Sequence, residues 1–360
     1  MRRTIIVAAA LLSNLIFAGT GRAQNFEEFR FYEENDVISP FGDRTDRYYT
    51  QGLKGEFLWA APDLEARFLP GIAHGDWCSL LCGRTLGERI IHSGFAVGQN
   101  MYTPEVITIA EPQPSDRPWA GYLYASRIAR IRYEDEQLKA QRQDTLEVTL
   151  GVVGPASLAG PVQIGWHHLI GVDRPEGWDN QLKNEPVLQL RYEAALRWPK
   201  KDGGNADVIP RVRVNLGNAL TSLEAEVMGR LGWNLSGFGV TAIPAPPPPA
   251  PPPALAAMRA QASTASQPGK LRANLFVRAG IKAIAHNITI DGNTFASNDI
   301  RIRRRPLVPE IAAGVEVGLS RHWSLSYQFV RRGSEFETRS GHRAPAQEFG
   351  AITIAWTSGK

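Results

Sequence analysis

The chain has 360 residues, enough for one large domain or two ordinary ones, with 43% hydrophobic residues and a formal charge of +4. Arg2, Arg3 and Arg22 lie in an N-terminal segment read as a cleaved signal, so the formal +4 falls to +1 in the mature chain. The basic balance leaves with that segment, and nucleic acid is set aside as a partner.

Residues 1–23 carry the marks of an export signal. Arg2 and Arg3 form the charged start, Ile5 to Phe17 an apolar run, and Gly21-Arg22-Ala23 a small-x-small cleavage site. Residues 24–360 are then one domain. After the signal no run reaches the roughly 20 apolar residues that a membrane-spanning helix needs. The cysteines Cys78 and Cys82 could close a small disulfide loop in an exported protein or remain free thiols.

Much of the mature chain alternates apolar and polar residues with period two, the signature of strands. Leu188, Leu190, Tyr192, Ala194, Leu196 and Trp198 alternate with Gln189, Arg191, Glu193, Ala195 and Arg197. Similar alternation runs through residues 211–216, 227–235, 271–283, 323–329 and 352–356. The polar faces are crowded with Arg and Glu, and aromatic residues mark strand ends. That pattern predicts an all-β transmembrane antiparallel up-and-down barrel, apolar side to lipid and polar side to the lumen. Closure also removes the exposed edges that so many strands would leave.

About twelve strands are predicted, near 26–35, 48–60, 89–101, 118–133, 144–153, 186–198, 207–219, 223–235, 271–286, 306–319, 322–333 and 347–357. With the mature N-terminus on the periplasmic side, the outer connections are 36–47, 102–117, 154–185, a short one near 220, 287–305 and 334–346, carrying short helical pieces. The inner connections include 61–88, with the cysteine pair, and 236–270, a stretch with PAPPPPAPPP expected to be a disordered periplasmic turn.

Six motifs fall toward the outer end. Asn35 and Asp36 close the first strand, and Tyr49-Thr50-Gln51-Gly52 opens the second, so Asn35, Asp36 and Thr50 converge in a hairpin. Their oxygens are hard donors suited to Ca²⁺, although Asn and Asp are also common in plain turns. GQNMYTP at 98–104 and DRPWAG at 116–121 bracket the next outer loop. Arg117 could bind a headgroup phosphate or pair with a carboxylate. In the third loop, Gln163 and His167 share a face of a short helix, and Asp173 could fold back on the imidazole. Histidine is the usual general base near neutral pH, and His168 competes for the role. No Gly-x-Ser-x-Gly elbow occurs, so a histidine-activated water with a cation as electrophile is the chemistry left open. GWDNQLKNEP at 177–186 completes the set and shapes the long loop.

Taken together and in this order, the six motifs resemble the lipid A 3′-O-deacylase family of bacterial outer-membrane barrels. The resemblance covers nearly the whole mature chain. It implies a twelve-stranded barrel with a calcium-dependent esterase site at its outer rim. It places the catalytic histidine at His167, with Gln163 before it and the carboxylate of Asp173 after it, and the calcium neighbourhood at Asn35, Asp36 and Thr50. It implies hydrolysis of the ester-linked 3′ acyloxyacyl group of lipid A, with lipopolysaccharide of the outer leaflet as the partner. The chain departs from the family pattern in its long polyproline insert, in the Cys78–Cys82 segment and in carrying Asp173 where a longer Glu would be expected. A porin-like or structural barrel, and a phospholipase acting on glycerophospholipids, are the competing readings.

Overall fold

The computed structural model describes residues 26–40, 46–61, 89–198, 203–239, 272–338 and 340–358. The signal segment, Cys78 and Cys82, and most of the proline-rich stretch lie outside the described residues. Strands β1 (Phe26–Asn35), β2 (Tyr48–Ala60), β3 (Arg89–Thr103), β4 (Ala120–Asp135) and β5 (Ala140–Val153) lead to helix α1 (Ala159–Ile170). Strands β6 (Glu185–Arg197), β7 (Gly204–Gly217), β8 (Leu220–Leu235) and β9 (Arg272–Asn287) precede the short helix α2 (Ile288–Asp291). Then come β10 (Ile302–Arg304), β11 (Leu307–Gly318), β12 (Trp323–Arg332), β13 (Phe336–Thr338) and β14 (Gln347–Thr357).

Twelve of these strands close a barrel in which each pairs antiparallel with its chain neighbours and β1 pairs with β14. The expected up-and-down barrel is therefore the observed fold. Alternation is the cause. A one-residue slip would carry every Arg and Glu of a strand to the apolar side, so each register is fixed. Strands β3, β4 and β5 run beyond their expected ends. The additional pair β10–β13 forms a small separate sheet in the outer loops, too short for its period to be read.

Outward positions such as Leu188, Val227, Leu231, Leu275 and Ile311 are exposed apolar residues of the lipid-facing belt. At the inner end Phe26 stacks on Trp356 at 5.5 Å, and Phe95 on Phe57 at 5.0 Å and on Trp59 at 5.4 Å, forming part of an aromatic girdle. No described helix is long and apolar enough to cross a membrane, and crossing falls to the strands.

Inward positions carry a layered ion-pair network. Arg213 reaches Glu193 at 2.8 Å and Glu224 at 2.5 Å. Arg278 joins Glu226 at 2.6 Å to Glu310 at 2.8 Å, and Lys282 and Arg332 add to Glu310 at 3.3 and 2.8 Å. Arg130 pairs with Glu56 at 3.0 Å. Above this network Tyr48, Ile290 and Phe336 pack together with Ile302 and Ala344 and help to cover the lumen at the outer end. Large side chains such as Arg30, Arg130, Arg191, Arg278 and Arg332 are fully buried in the interior. A lumen so filled is not a wide aqueous channel. Reconstituted into planar bilayers, the chain is expected to show no stepwise porin-like conductance; steady openings would contradict the packing.

Candidate active site at the outer lip

The site lies where β1, β2, β3 and α1 meet at the outer end. A register shift between Tyr49 and Gln51 marks a bulge in β2. Tyr49 turns into the lumen, where its hydroxyl donates to Glu34 at 2.5 Å. Thr50 faces the other way and lies 2.8 Å from Thr103, hydroxyl to hydroxyl. Thr103 donates to the carbonyl of Asp46 at 2.9 Å, so the Thr50 proton goes to Thr103 and the Thr50 oxygen keeps its lone pairs.

Helix α1 is seated on the outside of the wall. Gln99 of β3 donates from Nε2 to the Ser157 carbonyl at 2.6 Å, just before the helix. A Cβ at Gly121 of β4 would stand 2.1 Å from Ser157 Oγ and 2.4 Å from the Ala159 methyl, so only glycine permits this approach. Met101, Trp119, Ala159 and Trp178 form the small core beneath the helix, with Trp119 and Trp178 at 5.0 Å. Gly177 lies against the Trp119 indole, where a Cβ would meet Nε1 at 2.4 Å. The glycines and tryptophans of DRPWAG and GWDNQLKNEP thus clamp α1 to the barrel.

The helix buries Gln163 and His167 together, as their four-residue spacing predicts. Trp178 Nε1 donates to Gln163 Oε1 at 2.8 Å and fixes the amide. Gln163 Nε2 faces the Asp46 carboxylate without completing a hydrogen bond of full geometry. His167 is held on both sides: Nδ1 lies 2.5 Å from the Asp173 carbonyl and Nε2 lies 2.9 Å from Asp46 Oδ2. A carbonyl only accepts, so Nδ1 is the donor, and Nε2 is the nitrogen that faces the site. His168, the next residue, is turned off this face and is exposed.

Asp36 is buried next to this pair. Its Oδ2 accepts from the Arg47 backbone N–H at 2.9 Å, while Oδ1 has no hydrogen-bond partner among the described residues. Burial, reinforced by the nearby Asp46 charge, pushes the Asp36 carboxyl well above its usual range. Burial also raises Asp46, with the His167 imidazole and the Gln163 amide pulling the other way. Two neighbouring carboxylates, Asp36 buried with an orphaned oxygen and Asp46 partly buried, form a pocket short of positive charge. Asp36 and Thr50 offer hard oxygens that fit a cation such as Ca²⁺, while Asp46 beside them is engaged with His167. Asn35 fits less directly, because its Oδ1 accepts from the Val37 N–H at 2.8 Å in an Asx turn. No cluster of three His, Cys, Asp or Glu residues suited to a metal occurs among the described residues.

Asn35, Asp36, Thr50, Gln163 and His167 therefore come together at one lip. Asp173 takes part through its backbone carbonyl; its side chain is exposed, so the carboxylate partner of the ring is Asp46 instead. Asp46 sits in the first outer connection, far from His167 in sequence. Its only signal was that it lies four residues before Thr50. Arg117 requires a correction as a headgroup ligand. It is fully buried, donates to Glu335 at 2.8 Å and to Thr289 at 2.9 Å, and stacks on Tyr102 at 4.8 Å. Its guanidinium ties the second outer connection to Thr289 and to the loop before β13, and its complete burial keeps it from a lipid phosphate. Replacing Asp46 with Asn is expected to lower hydrolysis by about 10- to 100-fold, the usual effect of losing a group that orients a functional side chain. Rates measured beside an unchanged circular dichroism spectrum check this.

A closed twelve-stranded barrel with a buried imidazole–carboxylate pair on its outer lip defines a class: outer-membrane barrels whose chemistry sits on the rim, not in a pore. The family model described as outer membrane protein LpxR matches residues 5–358, and the chain belongs to that family. It is the family that the six motifs resemble, the lipid A 3′-O-deacylases of bacterial outer membranes. Among solved structures the chain is similar to LpxR from Salmonella typhimurium, with 18% identity over 91% of this chain and 99% of that one and a TM-score of 0.63. It is also similar to the beta domain of a Bordetella autotransporter, with 9% identity, a TM-score of 0.42 and coverage of 93% of this chain and 99% of that one. A Pseudomonas putida F1 outer membrane channel gives 10% identity, a TM-score of 0.42 and coverage of 94% and 97%. No curated protein matches the chain in sequence.

Proposed function

We propose that the chain hydrolyses the ester-linked 3′ acyloxyacyl group of lipid A in the outer leaflet, with Ca²⁺ as cofactor and His167 as general base. The observation that carries this reading is the buried His167–Asp46 pair beside Asp36, whose Oδ1 has no partner among the described residues. Ca²⁺ bound by Asp36 with Thr50, and with help from Asn35, would supply positive charge for the ester carbonyl oxygen.

The remaining roles follow from the side chains. His167 Nδ1 is committed to the Asp173 carbonyl, so the proton from water goes to Nε2. The present Nε2–Asp46 contact holds one proton between them, so Nε2 becomes a base once a water takes the place of Asp46 and that proton passes to solvent; Asp46 stays near enough to stabilise the imidazolium that then forms. Gln163, fixed by Trp178, presents its amide N–H to the water or the substrate. Because α1 lies outside the wall, the sugar and phosphates of a bound lipid can stay at headgroup level while its acyl chains follow the barrel surface.

Mass spectrometry of lipid A from cells expressing the chain tests the proposal. Wild type should remove the 3′ acyloxyacyl group; Asp36→Ala should leave it in place, as should the wild type under chelation with the barrel intact. An unchanged lipid A spectrum from folded wild type with Ca²⁺ present refutes the reading, and fatty acid released from glycerophospholipid alone reassigns the substrate.

A further inference from the structure

One face of α1 does no work in the site. Gln163 and His167 are buried against the wall, while Val162, Trp166 and Leu169 recur at helical spacing away from it, and Leu158, Ile170 and Val172 at the two ends of the helix are exposed as well. All six are exposed, Leu169 to 74%. No Asp, Glu, Lys or Arg occurs from Val148 to Val172. A solvated loop of an outer-membrane barrel has no need to exclude charge over such a length. The other outer connections do not exclude it: 287–306 carries Asp291, Asp299, Arg301 and Arg303–Arg305.

The position of the helix says what covers this face. The Gln99–Ser157 hydrogen bond and the Gly121 contact hold α1 on the outside of β3 and β4, not over the lumen. A face turned away from the wall there looks outward from the barrel. On the strands that carry it, Val97 of β3 and Leu123 of β4 are exposed residues of the lipid-facing belt. The apolar face is continuous with an existing lipid contact. Charge returns immediately afterwards at Asp173, Arg174 and Glu176, where headgroups would lie.

We propose that the exposed apolar face of α1 inserts among the acyl chains of the outer leaflet, removing that surface from water, and so sets the depth of His167 in the membrane. Trp166 serves as its interfacial anchor. The inference rests on the barrel and its membrane and is independent of the hydrolase reading.

The test is nitroxide accessibility in the full chain, with Cys78 and Cys82 replaced by Ser, in vesicles of phosphatidylethanolamine and phosphatidylglycerol. Labels are placed by Leu169→Cys and, separately, Trp166→Cys. Val227→Cys in the belt and Ser297→Cys in an outer loop serve as the lipid and water references. The ratio of oxygen to nickel-chelate accessibility at positions 169 and 166 should exceed that at Ser297→Cys several-fold and approach that at Val227→Cys. A ratio equal to the Ser297→Cys value places the face in water and overturns the proposal. Low accessibility to both reagents means that protein covers it, such as a second copy of the chain, and overturns it as well.

Discussion

Alanine in place of His167 is expected to bring lipid A deacylation down by about 10²- to 10⁴-fold, the usual worth of a positioned general base. The change removes the only side chain of α1 that reaches Asp46 by a direct 2.9 Å contact. It touches neither the Trp119–Trp178 clamp nor any lumen ion pair, so the barrel should fold and run as wild type in heat-modifiability gels. His168→Ala should keep nearly full activity, because that ring lies on the exposed side of the helix. Lipid A mass spectra of the two variants, side by side, decide the base. If His168→Ala is the inactive protein and His167→Ala the active one, the assignment is wrong. Equal loss in both would mean that α1 has been displaced, which the heat-modifiability comparison would miss but a near-ultraviolet tryptophan signal would report.

The second large effect is on stability. Glu310→Ala should destabilise the barrel by ~3–5 kcal/mol, the range found when one partner of a buried ion pair is deleted. Glu310 receives Arg278 at 2.8 Å, Lys282 at 3.3 Å and Arg332 at 2.8 Å, so its loss takes a partner from three cations at once, leaving Arg278 with Glu226 and Arg332 with the more distant Glu335. Arg332 also stacks on Phe349 at 5.2 Å, which couples the lumen to the wall near the outer loops. Urea unfolding in lipid vesicles measures the effect. Leu231→Ala, on the lipid side, is the contrast: it leaves no cavity in a packed core and should cost far less. Comparable losses in both would mean that the lumen network carries little of the stability.

The lumen and the lip answer to different physics. Inside, burial forces each charge to find a partner, so Arg and Glu appear in matched layers. At the lip, Asp36 keeps an unsatisfied oxygen and Asp46 shares the pocket with it. Such an arrangement works against the apo fold and favours whatever positive charge the pocket receives.

Arg117 illustrates how a motif can be right and its chemistry misread. DRPWAG does mark an outer loop, and its tryptophan and glycine do serve the site by seating α1. Its arginine is spent on Glu335, from the far end of the chain. In the sequence an arginine there suits a headgroup phosphate or a carboxylate equally; only the closed barrel brings Glu335 against it and decides for the carboxylate.

The period-two alternation settled the barrel, its strand number and its sidedness, because side-chain direction in a strand is a local property that each segment declares for itself. The spacing of Gln163 and His167 settled that they would share a face, for the same reason in a helix. What no local pattern carries is which distant group completes the imidazole. Closure of β1 to β3 delivers Asp46 to Nε2 and Thr103 to Thr50, while the turn after α1 offers the Asp173 carbonyl and leaves its carboxylate in solvent. Hydrogen bonds reach only about 3 Å, so partners that are remote in the chain are fixed by tertiary closure alone.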